Sequence, residues 1–219
     1  MKKEKIVIFG TKDTAQLAKY YIDNDTEHEV VAFCVSKSFK QEETFEGLPV
    51  CAFEDLQDSY SPEEYMLFAP MTGVKMNTVR EKIYKEGKEK GYKFYSYVST
   101  KATVLTDKIG ENCFILEDNT IQPFVEIGNN VVLWSGNHIG HHSVIRDNVF
   151  FTSQVVLSGH CDVGEGSWFG VNATIRDFIK IGERTLVAMG AMITKDTEAS
   201  GFYLGPPAKK QEKKSYEVY

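Results

Sequence analysis

Between residues 109 and 193, one position in every six is apolar without exception. Counted from Ile109, the residues are Ile115, Ile121, Ile127, Leu133, Ile139, Ile145, Phe151, Leu157, Val163, Phe169, Ile175, Ile181, Val187 and Ile193. With 42% hydrophobic residues in the chain, chance alignment in one phase is roughly a few in a million. The residue four places on is usually small or aliphatic, as at Cys113, Val125, Val131, Ser143, Cys161 and Ala173. A period of six suits neither a helix nor a plain strand. It predicts a triangular coil with three short strands per turn, the invariant apolar position pointing into a prism. About five coils are expected, stacked at roughly 4.8 Å into a prism about 24 Å tall. Every eighteenth residue repeats a motif: Ile109-Gly-Glu-Asn, Ile127-Gly-Asn-Asn, Ile145-Arg-Asp-Asn, Val163-Gly-Glu-Gly, Ile181-Gly-Glu-Arg. Gly, Asn and Asp are expected there because corners need φ > 0.

The first hundred residues have a different grammar. Ile6-Val7-Ile8-Phe9 reads as a short buried strand ending in Gly10, followed by a helix from Thr14 to Ile22 with Asp13 or Thr14 as N-cap. Val30–Val35 and Tyr65–Ala69 read as further strands, Asn77 to Lys90 as a helix with Val79 and Ile83 inward, and Phe94–Val98 as a closing strand. Alternating strands and helices predict a small Rossmann-like α/β domain. The expected boundaries are 1–100 for that domain, 101–197 for the β-helix and 198–219 for a C-terminal tail.

Composition narrows the function classes. The formal net charge of −6 argues against nucleic acid as a main partner. No apolar run reaches membrane-spanning length. The four cysteines are scattered, with no Cys-x-x-Cys pair, which predicts reduced packing residues in a cytoplasmic protein.

Periodicity does not set the hand of the coil. The repeats resemble the hexapeptide of left-handed parallel β-helix acyltransferases over residues 109–196. With an α/β domain ahead and Gly205-Pro206-Pro207-Ala208-Lys209 behind, the whole chain resembles bacterial sugar acyltransferases of the sialic-acid O-acetyltransferase and bacillosamine N-acetyltransferase type. The resemblance implies transfer of an acyl group, expected to be acetyl, from acetyl-CoA. The acceptor would be an amino or hydroxyl group of a sugar, free or nucleotide-linked, in surface-polysaccharide or glycan biosynthesis.

Three of five histidines fall in Gly136-Asn-His-Ile-Gly-His-His-Ser-Val144, and His160 follows. In the hexad frame His141 and His142 sit at an outward corner, and His160 lies one coil beyond His142. The resemblance places the general base at the third hexad position of this coil, which is His141. Where that family commonly has an acidic residue next, this chain has His142, the second catalytic candidate. His138 ends its hexad and reads as an ordinary strand-edge residue.

A metal site is the alternative, since gamma-class carbonic anhydrases build a β-helix and bind zinc between subunits. This chain lacks their His-x4-His pattern, and adjacent His141 and His142 are expected to diverge, so no metal is expected. A binding protein with a vestigial site is the remaining class.

For the cofactor, the resemblance implies backbone contacts, with Gly159, Ala188 and Gly190 as candidates for the pantetheine arm of acetyl-CoA. Lys195, Lys209, Lys210, Lys213 and Lys214 are available to its phosphates. The turn Gly10-Thr11-Lys12-Asp13 enters the first helix, where backbone N–H groups can meet the diphosphate of a nucleotide-sugar. Trp134, Phe150 and Trp168 lie outside the inward frame and are expected to be covered in a homotrimer.

Overall fold

The structure, a computed structural model, describes residues 3–205. The N-terminal sheet runs β1 (Lys5–Phe9), β2 (Glu29–Val35), β3 (Thr44–Phe45), β4 (Leu48–Ala52) and β5 (Tyr65–Phe68), with helices α1 (Asp13–Asp25) and α2 (Thr78–Glu89). Its order is β3-β4-β2-β1-β5, parallel except for the hairpin of β3 with β4. The central strand β1 is apolar on both faces because both are covered. Ile6 and Ile8 join α1 on one side, and Val7 and Phe9 join Ile83 of α2 on the other.

Three expectations about this unit change. Lys12, not Asp13 or Thr14, precedes α1, and Asp13 is its first helical residue, where a carboxylate meets the positive end of the helix dipole. On α2, Arg80 and Glu81 are buried beside Ile83, while Val79 is half-buried. Of the expected closing strand, only Phe94 bridges to Leu67. Tyr97–Val98 instead pair with Phe114–Ile115.

That pairing opens the β-helix, whose three parallel sheets hold seven, six and four strands. Apart from half-buried Ile109, every residue of the sixfold series from Ile115 to Ile193 is buried in one continuous core. The expected five coils extend by a strand or two at each end. Tyr97 pairs with Phe114, and Thr103 with Thr120, at a spacing of 17 residues, whereas the coils that follow keep 18 up to Ile193. Phe202–Tyr203, expected in the tail, pair with Leu186–Val187. The expected starts at 101 and 198 therefore shift with the strands.

The corners obey one rule throughout. Every sixth residue from Asn112 to Gly190 has positive φ. Asn112, Asn130 and Asn148 exploit it as a buried ladder, each Nδ2 donating to the next Oδ1 at 2.7 Å. Phe124, His142, Gln154, His160, Phe178 and Arg184 also adopt it, against ordinary preference. The glycines of the quoted motifs serve a different need. At Gly110, Gly128, Gly164 and Gly182 φ is not positive, and a β-carbon would stand 2.8 Å or less from backbone of the next coil.

The N-terminal unit packs on the seven-stranded face. Phe114, Leu116, Val132 and Phe150, with Trp134 and Trp168, form one core with β1, β2 and α1. Phe150 is thus buried and Trp134 and Trp168 half-buried by their own chain, which takes most of that argument from the trimer expectation. Polar contacts reinforce the seam. Tyr21 donates to Glu117 at 2.7 Å, Tyr97 to Asp25 at 2.6 Å, Tyr84 to Glu111 at 2.9 Å and Arg184 to Glu81 at 2.8 Å. Arg80 is fully buried, donates to the carbonyls of Asn148 and Val149 and lies over the Phe150 ring. Among the described residues, no helix is long and apolar enough to cross a membrane.

Candidate functional site

The corner between the six- and four-stranded sheets carries the histidines. His138–Ile139 belongs to the first sheet and Val144–Ile145 to the second, so residues 140–143 make the turn. Gly140 permits it: a β-carbon there would stand 2.4 Å from the Gly159 nitrogen. The His141 N–H donates to Gln122 Oε1 at 2.9 Å, and the His141 carbonyl accepts from the His160 N–H at 2.9 Å. His142 follows with φ at 59°.

Left-handed φ at His142 swings its ring back to its neighbour. The two Nδ1 atoms are 3.0 Å apart, so the expected divergence of the pair does not occur. His160, one coil on, stacks on His142 with centroids 4.9 Å apart and meets His141 edge-on at 5.0 Å. Phe178 extends the stack at 4.7 Å, and Phe124 packs tilted by 38° on the other side of His142 at 4.6 Å. Phe124, His142, His160 and Phe178 share the corner position on successive coils, which explains the ladder. All three imidazoles are exposed. His138 stays half-buried in its strand.

The candidate cofactor contacts divide. Gly159 lies under His141, where a β-carbon would stand 3.0 Å from Cε1. Ala188 and Gly190 turn the chain between Leu186–Val187 and Met192–Ile193, at the other edge of the six-stranded sheet. Within one chain they do not join His141. Gly190 has φ at 66°, a conformation that glycine adopts without cost. Lys209, Lys210, Lys213 and Lys214, with residues 206–208, lie outside the described residues.

At the sheet's carboxyl edge, a cavity of about 590 Å³ is lined by Gly10, Thr11 and Lys12, with Thr14, Ser36, Phe39, Gln41, Glu42 and Thr72. Gly10 has φ at 121° and turns β1 toward α1. Asp13 faces away, beside Gln16 and Tyr20. The sequence reading missed Phe39, Gln41 and Glu42, which arrive through the β2–β3 connection and carry no local motif. The cysteines are packing residues: burial pushes the Cys34 thiol well up and the Cys113 thiol up to about 11.

Residues 108–141 match the family model for the bacterial transferase hexapeptide (six repeats). An acyl-[acyl-carrier-protein]–UDP-N-acetylglucosamine O-acyltransferase of Campylobacter concisus is 30% identical over 95 residues, covering 40% of this chain and 36% of its own length. Serine acetyltransferase 4 of Arabidopsis thaliana is 34% identical over 99 residues, covering 41% and 28%. The chain thus spans about a third of these relatives.

Likeness over the full length comes from solved structures. The acetyltransferase domain of PglB from Neisseria gonorrhoeae, in complex with acetyl coenzyme A, has TM-score 0.81 at 20% identity, covering 96% of this chain and 100% of that one. PerB from Caulobacter crescentus, in complex with CoA and GDP-perosamine, has TM-score 0.79 at 21% identity, covering 94% and 96%. The carbonic anhydrase alternative finds no support among these proteins.

Proposed function

Starting from a hexapeptide-repeat chain of the left-handed β-helix acyltransferase class, we propose that it transfers an acetyl group from acetyl-CoA to a sugar. The acceptor would be an amino or hydroxyl group of a nucleotide-linked sugar. The observation that carries the reading is the imidazole of His141, exposed at a prism corner over Gly159, in a chain with the fold of acetyl-CoA-bound and nucleotide-sugar-bound proteins.

His141 is the general base. Its Nε2 accepts the acceptor's N–H or O–H proton as that nitrogen or oxygen attacks the thioester carbonyl. The tetrahedral intermediate collapses with loss of the CoA thiolate, which takes up a proton to leave as the free thiol. Nε2 can accept only if the neutral ring carries its proton on Nδ1. In that tautomer His141 Nδ1–H donates to His142 Nδ1, 3.0 Å away, giving His142 the orienting part a carboxylate more often plays.

The N-terminal α/β unit is read as a Rossmann-like acceptor domain. Gly10, Thr11 and Lys12 would meet the diphosphate at the start of α1, where free N–H groups and the helix dipole favour anions. Gly159, Ala188 and Gly190 would flank the pantetheine arm, the last two contributed across an interface between chains. A homotrimer fits the apolar surface outside the N-terminal contact, where Val156, Met189 and Met192 are exposed. The test is release of free thiol from acetyl-CoA over a panel of UDP-, GDP- and dTDP-linked amino and hydroxy sugars. Saturable, acceptor-dependent release is expected, and none with any acceptor would contradict the reading.

A further inference from the structure

His141, His142 and His160 bring three imidazoles together on exposed surface, their ligand nitrogens all within 4.8 Å of one another. Nothing in the acyl-transfer chemistry needs a third ring. Two nitrogens 3.0 Å apart, as at His141 Nδ1 and His142 Nδ1, subtend roughly 95° at an ion about 2.05 Å from each. That is near the right angle of a tetragonal Cu²⁺ or Ni²⁺ site and short of the tetrahedral angle. Ligands opposite each other around such an ion stand about 4.1 Å apart. The third nitrogen therefore has only a small distance to close, and His160 is exposed. His160 lies parallel to His142 within 14° and to Phe178 within 4°, a packing it tilts out of to aim its nitrogen at the ion.

We propose that His141, His142 and His160 bind one Cu²⁺ or Ni²⁺ ion per chain. Its remaining position faces solvent, open to water or an anion. A consequence rests on the reading of His141 as general base. Coordination through Nδ1 moves the ring proton to Nε2, the atom that must accept the acceptor's proton. An occupied site and an active base are then mutually exclusive, and the ion is an inhibitor reversed by a chelator.

The test uses the full chain without an affinity tag, titrated with NiCl₂ by calorimetry and with CuSO₄ by electron paramagnetic resonance. One ion per chain is expected, with hyperfine coupling from three nitrogens. His160→Asn should weaken binding by about tenfold or more. Asn tolerates the left-handed backbone at this corner, and circular dichroism checks the fold. His138→Asn, outside the cluster, should bind as wild type. Equal affinity in the His160→Asn and wild-type chains, or an equal loss in His138→Asn, would overturn the site. Acetylated sugar measured by mass spectrometry with and without Ni²⁺ separates the two readings. Three-nitrogen binding without inhibition keeps the metal site and removes His141 as base. Loss of turnover in His141→Asn, with no ion bound by the wild-type chain, keeps the base and removes the metal site.

Discussion

The imidazole of His141 rests on a glycine of the next coil, Gly159. A β-carbon at that glycine would stand 3.0 Å from Cε1 and 3.1 Å from Nε2 of the ring. Gly159 is not held at positive φ, so alanine is tolerated by the backbone and collides only with the imidazole. Gly159→Ala should therefore move the ring by a few tenths of an ångström. We expect kcat to fall roughly 10- to 100-fold, as small misplacements of catalytic groups do, with the melting temperature nearly unchanged. Wild-type turnover in this variant would show that ring position is not critical.

Gly164 makes the opposite case. Its β-carbon would meet only backbone of the next coil, at 2.6–2.7 Å, and the corner is remote from His141. Gly164→Ala should cost roughly 1–3 kcal/mol in chemical denaturation, the usual penalty of overpacking. Turnover per folded molecule should stay at the wild-type level.

The prism was legible in the sequence because each coil solves the same packing problem, and Ile115 to Ile193 repeat the answer without a break. Its ends were not legible. A first coil of 17 residues takes Val98 and Val104 out of the sixfold phase, and Phe202 follows Leu186 by 16. The stacking of His142 and His160 followed from their separation of 18. Their meeting with His141 did not, because it depends on left-handed φ at a non-glycine residue, which sequence preferences count against. Trp134 and Phe150 were recognisable as apolar residues outside the inward frame. Which surface covers them is a tertiary fact, and the covering strands β1 and β2 lie about a hundred residues away.

The cavity at Gly10, Thr11 and Lys12 predicts a nucleotide response. UDP, GDP or dTDP at millimolar concentration should raise the melting temperature, since a ligand that binds only the folded state stabilises it. Lys12→Ala should shrink the shift, and Asp13→Ala, which faces away, should not. The absence of a shift with all three nucleotides would place the acceptor elsewhere.

The seam between the α/β unit and the β-helix predicts sensitivity to acid. Burial raises the carboxyl pKa values of Asp25, Glu81, Glu111 and Glu117, but hydrogen bonds outweigh it and hold all four below their ordinary values. Depressed folded values mean that their contribution is fully present above the unfolded values near pH 4. It is lost as pH falls through the lower folded values. The chain should therefore lose stability below about pH 4, seen in the fluorescence of Trp134 and Trp168 at the seam. Tyr97→Phe removes a donor to Asp25. It should lower the melting temperature at pH 7 and flatten its fall with acid, whereas an unchanged acid slope would mean that Asp25 does not report on the seam.

The central claim is that His141 removes a proton from the acceptor, and one kinetic comparison tests it most directly. With the acceptor identified from the sugar panel, kcat and KM for acetyl-CoA are measured for wild type, His141→Asn and His142→Asn. A general base contributes roughly 10²–10⁴-fold. His141→Asn should lose that factor in kcat with KM for acetyl-CoA nearly unchanged, and His142→Asn should lose less, having only oriented the ring. Wild-type kcat in both variants, or a large loss confined to His142→Asn, would contradict the account.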